Sequence, residues 1–337
     1  MEIFLCPIRK SDHMNKRIDR HEIRAAYDRI KGDIRQTPLE FSPALSRLSG
    51  ANVYLKMEHQ QLTGSFKLRG VCNKVRSIDE SDFQQPFYAA STGNHAAAFA
   101  HCARQFGFKG TLFLPETISS VKRKALEHFD VELVIHGKNS MEAEAKATET
   151  AKAENGILIH PYNDRAIIAG QGTIGVEIEK QLPDVNAVLA PIGGGGLISG
   201  LCSYFHNERV RVVGVQPEKA SEMIDSIEKG FIVEPSTMTT ISDATAGGIE
   251  ANSLTFEICQ NQLDGYHRIS EKEIEEAILF MVNEHQMIIE AAAALPVAAL
   301  LKSEEYKDQN VVLVLTGRKI NPKLITQILM RYGNCNE

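Results

Sequence analysis

An α/β fold built on largely parallel sheets is what this chain of 337 residues predicts, on two observations. Short apolar runs recur along it: Phe87–Ala90, Thr111–Leu114, Glu132–Ile135, Val188–Ile192, Val210–Val215 and Val311–Leu315. Amphipathic stretches such as His95–Phe106, Ser140–Glu154 and Glu271–Asn283 lie between them. Parallel strands need a crossover, usually a helix, so this alternation favours parallel pairing over hairpins. No internal repeat, low-complexity tract or linker divides the chain.

Composition narrows the function classes. The length supports one large or two moderate domains with a real core. Hydrophobic residues at 43% and charged residues at 24% are ordinary for a soluble globular protein. A net charge of −6, with no basic stripe, argues against a nucleic-acid binder. No apolar run is long enough to span a bilayer. Met1–Lys10 lacks the pattern of a signal peptide and reads as a short extension, with Met14 an alternative start. Cys6, Cys72, Cys102, Cys202, Cys259 and Cys335 form no Cys-x-x-Cys pair and read as reduced thiols of a cytoplasmic protein. No His-x-x-x-His spacing suggests a metal site.

The strongest local signal is Gly193-Gly194-Gly195-Gly196, between the strand-like Val188–Ile192 and the helix-like Leu197–Cys202. Bare backbone can bring its N–H groups close to an anion, and the helix start adds partial positive charge. Neither the nucleotide P-loop nor the dinucleotide Gly-x-Gly-x-x-Gly spacing is present. The plainer reading is a flexible linker. A phosphate cradle without a nucleotide motif suggests pyridoxal phosphate, which needs a lysine for a Schiff base. Lys67, in Thr63–Gly70, is the candidate. Phe66, Leu68, Val71, Val75 and Ile78 follow roughly helical spacing, which predicts a helix capped by Thr63 or Ser65 with Lys67 in its first turn. A cation there opposes the helix dipole, and desolvation also favours the neutral amine that imine chemistry needs. From these residues alone, an exposed surface lysine is the commoner alternative.

Ser65-Phe66-Lys67-Leu68-Arg69-Gly70 resembles the lysine motif of the fold-type II pyridoxal-phosphate enzymes, the tryptophan-synthase-β-like family. The nearest branch holds the threonine/serine dehydratases and serine racemase. Thr37–Leu39, Val53–Glu58, Ser91–His95, Ile168–Thr173 and the glycine run agree with it in order, so the likeness spans about Ile23 to Leu329. The resemblance implies a two-domain fold with a small domain at 86–163 inserted between large-domain parts at 1–85 and 164–337. It also implies a homodimer or higher homo-oligomer.

Three loops follow predicted strands, where ligands of open α/β sheets collect. Ser91-Thr92-Gly93-Asn94-His95 offers hydroxyls, an amide and helix-start N–H groups suited to a carboxylate, though a plain helix cap is an equal reading. By resemblance, Asn94 meets the cofactor ring hydroxyl, while Ser91, Thr92, Asn94 and His95 surround the substrate carboxylate. Gly193, Gly194, Gly195, Gly196 and Leu197 hold the phosphate. Thr316 faces the pyridine nitrogen, Glu290 lies near the cofactor, and Phe66 packs on the cofactor or the core. A neutral hydroxyl at the ring nitrogen gives a milder electron sink, suited to β-elimination. Relatives often have Gly-Gly-Asn after the residue at position 316; Gly317-Arg318-Lys319 stands here, and its charges read as solvated. A Mg²⁺ or Ca²⁺ site of racemase-like relatives uses a glutamate where Gln216 stands, which leaves Glu222 and a weakened site.

The activity implied is that of an ammonia-lyase on a β-hydroxy amino acid such as L-threonine or L-serine, with Lys67 removing the Cα proton. The chain ends soon after Thr316, without the regulatory extension of biosynthetic threonine dehydratases, which points to a catabolic enzyme. Thr240–Glu250 is closer to a subgroup that includes hydroxyectoine-utilisation and phenylserine dehydratases. Two rivals stand beside this reading. A racemase would need Thr92 as acid/base on the face opposite Lys67. A non-catalytic cofactor-binding protein is disfavoured by Lys67, Asn94 and Thr316 occurring together.

Overall fold

The computed structural model describes residues 18–118, 123–124 and 126–332. Met14, the rest of the N-terminal extension, Cys6 and Cys335 lie outside them. Strands are β1 (Leu39–Phe41), β2 (Asn52–Lys56), β3 (Phe87–Ala90), β4 (Gly110–Leu114), β5 (Glu132–Ile135), β6 (Ile157–Leu158), β7 (Ala187–Pro191), β8 (Arg211–Pro217), β9 (Gly265–Ile269) and β10 (Asn310–Val314). They make a six-stranded sheet in the order β1-β2-β10-β7-β8-β9 and a four-stranded sheet in the order β5-β4-β3-β6. Only the β1–β2 pair among them is antiparallel. The predicted α/β class with mostly parallel sheets is what the molecule shows.

The central strands are apolar on both faces because helices cover both. Val311 and Leu313 enter one core with helix Ala291–Lys302, while Val312 and Val314 enter another with helices Arg165–Gln181 and Gly196–Phe205. Such strands read as continuous apolar runs rather than alternating ones. A third core joins the second sheet to helix Lys67–Arg76, through Phe87, Ala89 and Leu112 on one side and Leu68, Val71 and Val75 on the other. The helix that begins at Lys67 therefore shares a core with the second sheet.

Two devices fix that helix. Gly70 lies backbone-to-backbone on Gly170: a Cβ on Gly170 would sit 2.6 Å from Gly70 Cα. Gln171 Oε1 also accepts from Gly70 N at 3.2 Å. The second device is a fully buried charge cluster. Arg69 donates to Glu58 (2.7 and 2.8 Å) and to Glu177 (2.7 and 2.9 Å). Lys56 donates to Glu177 at 2.6 Å and to the Thr37 carbonyl at 2.8 Å, and Thr37 Oγ1 donates to Glu58 at 2.6 Å. The segments Thr37–Leu39, Val53–Glu58 and Ser65–Gly70 meet in this one cluster with Glu177, which is 108 residues beyond Arg69. Buried charges survive only when paired and hydrogen-bonded, and each acid here has a cation partner.

Candidate active site

Four segments converge on one cleft. Lys67 opens its helix as predicted, but the predicted cap is absent: the residue before it is Phe66, and no side chain caps the helix. Ser65 instead bridges Gly317, and its buried Oγ, like Thr63 Oγ1, has no partner. Phe66 N donates to the Thr316 carbonyl at 3.1 Å, which ties the start of the lysine helix to the end of β10. The Phe66 ring packs on the large core, with its centroid 5.4 Å from Lys67 Nζ. Lys67 Nζ donates to the Pro161 carbonyl at 2.8 Å. Desolvation brings the amine down to about 8, against the opposing pull of Glu144 and Glu290.

The glycine run follows β7 and starts helix Gly196–Phe205. Gly195 has φ +90°, a left-handed conformation that side chains resist, so glycine is required there. No side chain caps this helix, which leaves its first N–H groups to a ligand. The Tyr162 ring lies directly on Gly194, where any Cβ would overlap it, and Thr255 Oγ1 fixes the Gly194 carbonyl at 2.6 Å. Leu197 is buried in the first turn. Ala244 and Thr245, in the Thr240–Glu250 segment, back Gly193. That segment therefore lines the cleft.

Ser91–His95 follows β3 and opens helix Asn94–Phe106, whose preceding residue is Gly93 with no side-chain cap. Ser91 Oγ accepts from Gly93 N at 3.2 Å. Ser91, Thr92 and Asn94 are partly exposed. His95 is buried, with Nε2 2.8 Å from the Ile159 carbonyl. Burial, with Lys67 alongside, pushes its imidazole down to about 3, so the ring is neutral. Its backbone N–H belongs to the first turn of helix Asn94–Phe106.

Asn94 Nδ2 donates to both oxygens of Glu290, at 2.9 and 3.1 Å. Glu290 precedes helix Ala291–Lys302, and its N–H donates to the Gly317 carbonyl at 3.0 Å. Its carboxylate rests on Gly317, where a Cβ would overlap it. Burial raises this acid to about 7, so near neutrality it shares its proton between two states. Thr316 is buried and its Oγ1 has no partner; Asn94 Oδ1 is likewise buried and unpaired. Buried polar atoms without partners are rare in native proteins. Here they lie on segments bonded to the start of the lysine helix and to Glu290, and with the uncapped glycine run and the desolvated amine they make a donor set that fits pyridoxal phosphate. Arg318 and Lys319 are exposed, as predicted from the departure after Thr316.

Glu222 lies elsewhere. It is buried at the start of helix Glu222–Lys229, accepts from Ser236 N at 3.1 Å, and leaves Oε2 unpaired. Gln216 Oε1 is engaged by Ile224 N at 2.9 Å. Among the described residues no group of three His, Cys, Asp or Glu side chains could hold a metal. Sequence reasoning missed Tyr162, His160, Glu144 and Thr255. Their signals are contacts across long separations, with no local pattern to reveal them.

A family model described as pyridoxal-phosphate dependent enzyme matches residues 30–317. The chain is 36% identical over 310 residues to the L-threonine ammonia-lyase of Thermotoga maritima, covering 91% of this chain and 77% of that one. It is similar to the solved threonine deaminase isoform 2 of Solanum lycopersicum, with TM-score 0.86 and 29% identity over 97% of this chain and 90% of that one. It is also similar to serine racemase from Dictyostelium discoideum, with TM-score 0.82 and 29% identity over 90% and 99% of the two chains. The desolvated lysine, the glycine cradle and these matches agree, and the chain belongs to the pyridoxal-phosphate dependent enzymes.

Proposed function

We propose that the protein is an ammonia-lyase that converts a β-hydroxy amino acid, such as L-threonine or L-serine, to a 2-oxo acid and ammonia. The observation that carries this is Lys67: a desolvated amine, brought down to about 8, bonded to the Pro161 carbonyl beside Tyr162, whose ring lies on the glycine run. The names of the relatives in Thermotoga maritima and Solanum lycopersicum support the same reading.

Gly193–Gly196 and Leu197 would hold the cofactor phosphate, and Asn94, Glu290 and Thr316 would hold its ring. The bound cofactor supplies an electron sink for the charge left at Cα when a proton is removed. Ser91, Thr92, Asn94 and the backbone N–H of His95 receive the substrate carboxylate. Lys67, neutral in a substantial fraction of molecules near pH 8, takes the Cα proton. The β-hydroxyl takes up a proton and leaves as water, which balances the proton taken from Cα. The released enamine takes up water, giving the 2-oxo acid and ammonia. A threonine hydroxyl alone, as in Thr316, demands no positive ring, which favours elimination over transamination.

The segment 86–163 carries all four strands of the second sheet, which supports reading it as a unit inserted between 1–85 and 164–337. A cytoplasmic homodimer or larger homo-oligomer completes the proposal. Among the described residues no helix is long and apolar enough to cross a membrane. The test is 2-oxo acid formation over a panel of β-hydroxy amino acids, including L-threonine, L-serine and 3-phenylserine. Turnover of at least one, lost in Lys67→Ala, is expected; no 2-oxo acid from any member would overturn the reading.

A further inference from the structure

The residues His160-Pro161-Tyr162-Asn163 form a strap between β6 and helix Arg165–Gln181. This strap and its preceding residue touch three of the segments that carry the site. The Ile159 carbonyl meets His95 at 2.8 Å, and the Pro161 carbonyl receives Lys67 Nζ at 2.8 Å. The Tyr162 ring covers Gly194, and its backbone approaches Gly196. Yet the strap itself is short and irregular, so something must fix its position.

Glu250 does so from 87 residues away. Its Oε2 accepts from Asn163 Nδ2 at 2.8 Å, its Oε1 lies 3.0 Å from His160 Nε2, and its N–H donates to Tyr162 Oη at 3.0 Å. His160 Nδ1 accepts from the N–H groups of Tyr162 (3.2 Å) and Asn163 (2.8 Å). The proton of a neutral ring therefore sits on Nε2 and points at Glu250. The two side-chain bonds are to an ionised acceptor, the stronger class of hydrogen bond. The Glu250 side chain retains 41% exposure, and its hydrogen bonds go to His160 and Asn163 of the strap.

We propose that Glu250 is a positioning residue: a carboxylate latch that holds the strap so that Tyr162 closes the phosphate cradle and the Pro161 carbonyl meets Lys67. This rests on pyridoxal phosphate occupying the cleft, and not on which amino acid is turned over. Glutamine at 250 keeps the shape but offers one acceptor and one donor to two donors, so it supports only half the latch. Alanine removes it and leaves the Glu250 N–H bond to Tyr162 intact.

The readout is loss of cofactor from the holoenzyme during dialysis, followed by visible absorbance. Glu250→Ala is expected to speed this loss by about tenfold, the scale of a lost charge-assisted hydrogen bond, and Glu250→Gln by less. Glu154→Gln serves as the comparison. Glu154 accepts from Tyr88 Oη and makes no bond to residues 160–163, so its substitution is expected to leave the rate unchanged. Parent-like loss in both Glu250 variants would overturn the proposal. So would equal acceleration by Glu154→Gln, which would make the effect one of general loosening. Absence of 2-oxo acid formation would sink the lyase reading and leave the latch standing, because cofactor retention is read without substrate.

Discussion

Replacing Glu290 with glutamine tests the electrostatics of the site directly. The acid is 4% exposed, and burial carries it from its ordinary 4.5 to about 7. A carboxyl raised in the folded state binds its proton more tightly there than in the unfolded chain. The contribution of Glu290 to stability is therefore greatest below about 4.5 and falls as pH rises towards 7, because only the unfolded chain ionises freely in that window. At 1.36 kcal/mol for each tenfold change in proton affinity, the fall amounts to about 3 kcal/mol. Glutamine cannot ionise, so Glu290→Gln removes this slope. The variant also loses one acceptor for Asn94 Nδ2, but that loss is independent of pH and displaces the whole curve. Urea unfolding of the cofactor-free parent and variant, from pH 4.5 to 7.5, separates the two effects. The stability difference, variant minus parent, is expected to move in the variant's favour by about 3 kcal/mol across the window. Parallel curves would refute the buried-acid account of Glu290.

Three further outcomes follow from the geometry. Gly194→Ala drives a methyl into the Tyr162 ring, so cofactor retention measured by equilibrium dialysis should fall at least tenfold, while Gly32→Ala, whose Cβ meets nothing within 4 Å, should leave it unchanged. Glu177→Ala leaves Lys56 and half of Arg69 buried without a counter-charge, and urea midpoints should report a loss of about 3–5 kcal/mol. In the reaction itself, 2-oxo acid should exceed inverted amino acid, since a positioned acid on the second face is worth about 10²–10⁴-fold and Thr92 is a branched, crowded donor. Chiral chromatography checks this, and Thr92→Ser should raise the share of D-isomer.

Much of this architecture was legible in the sequence because its signals are local. Phe87–Ala90 and Glu132–Ile135 are strands at the bounds their apolar runs gave, and the other four runs differ by one or two residues at an end. The glycine run forms a strand-turn-helix as its neighbours implied, with Gly195 in the left-handed region. The expected cap at Thr63 or Ser65 is absent because a tertiary bridge to Gly317 takes the local role. The buried Lys56–Glu177–Arg69–Glu58 cluster was invisible for a different reason. Charged residues ordinarily sit at the surface, and only the close packing of Gly170 on Gly70 brings these four together inside. Tyr162 escaped notice because a strap with no apolar period acquires its meaning from partners far along the chain, and Glu250, at the end of the segment Thr240–Glu250, carried no local sign of its bonds to that strap.

The central claim is that Lys67 carries the cofactor, and borohydride reduction of the holoenzyme followed by peptide mapping tests it most directly. Reduction should fix one pyridoxyl group per chain on the peptide containing Lys67, with Lys67→Ala giving no such adduct while keeping the parent's far-ultraviolet circular dichroism. An adduct on any other lysine, or none on a protein that still releases 2-oxo acid, would contradict the account.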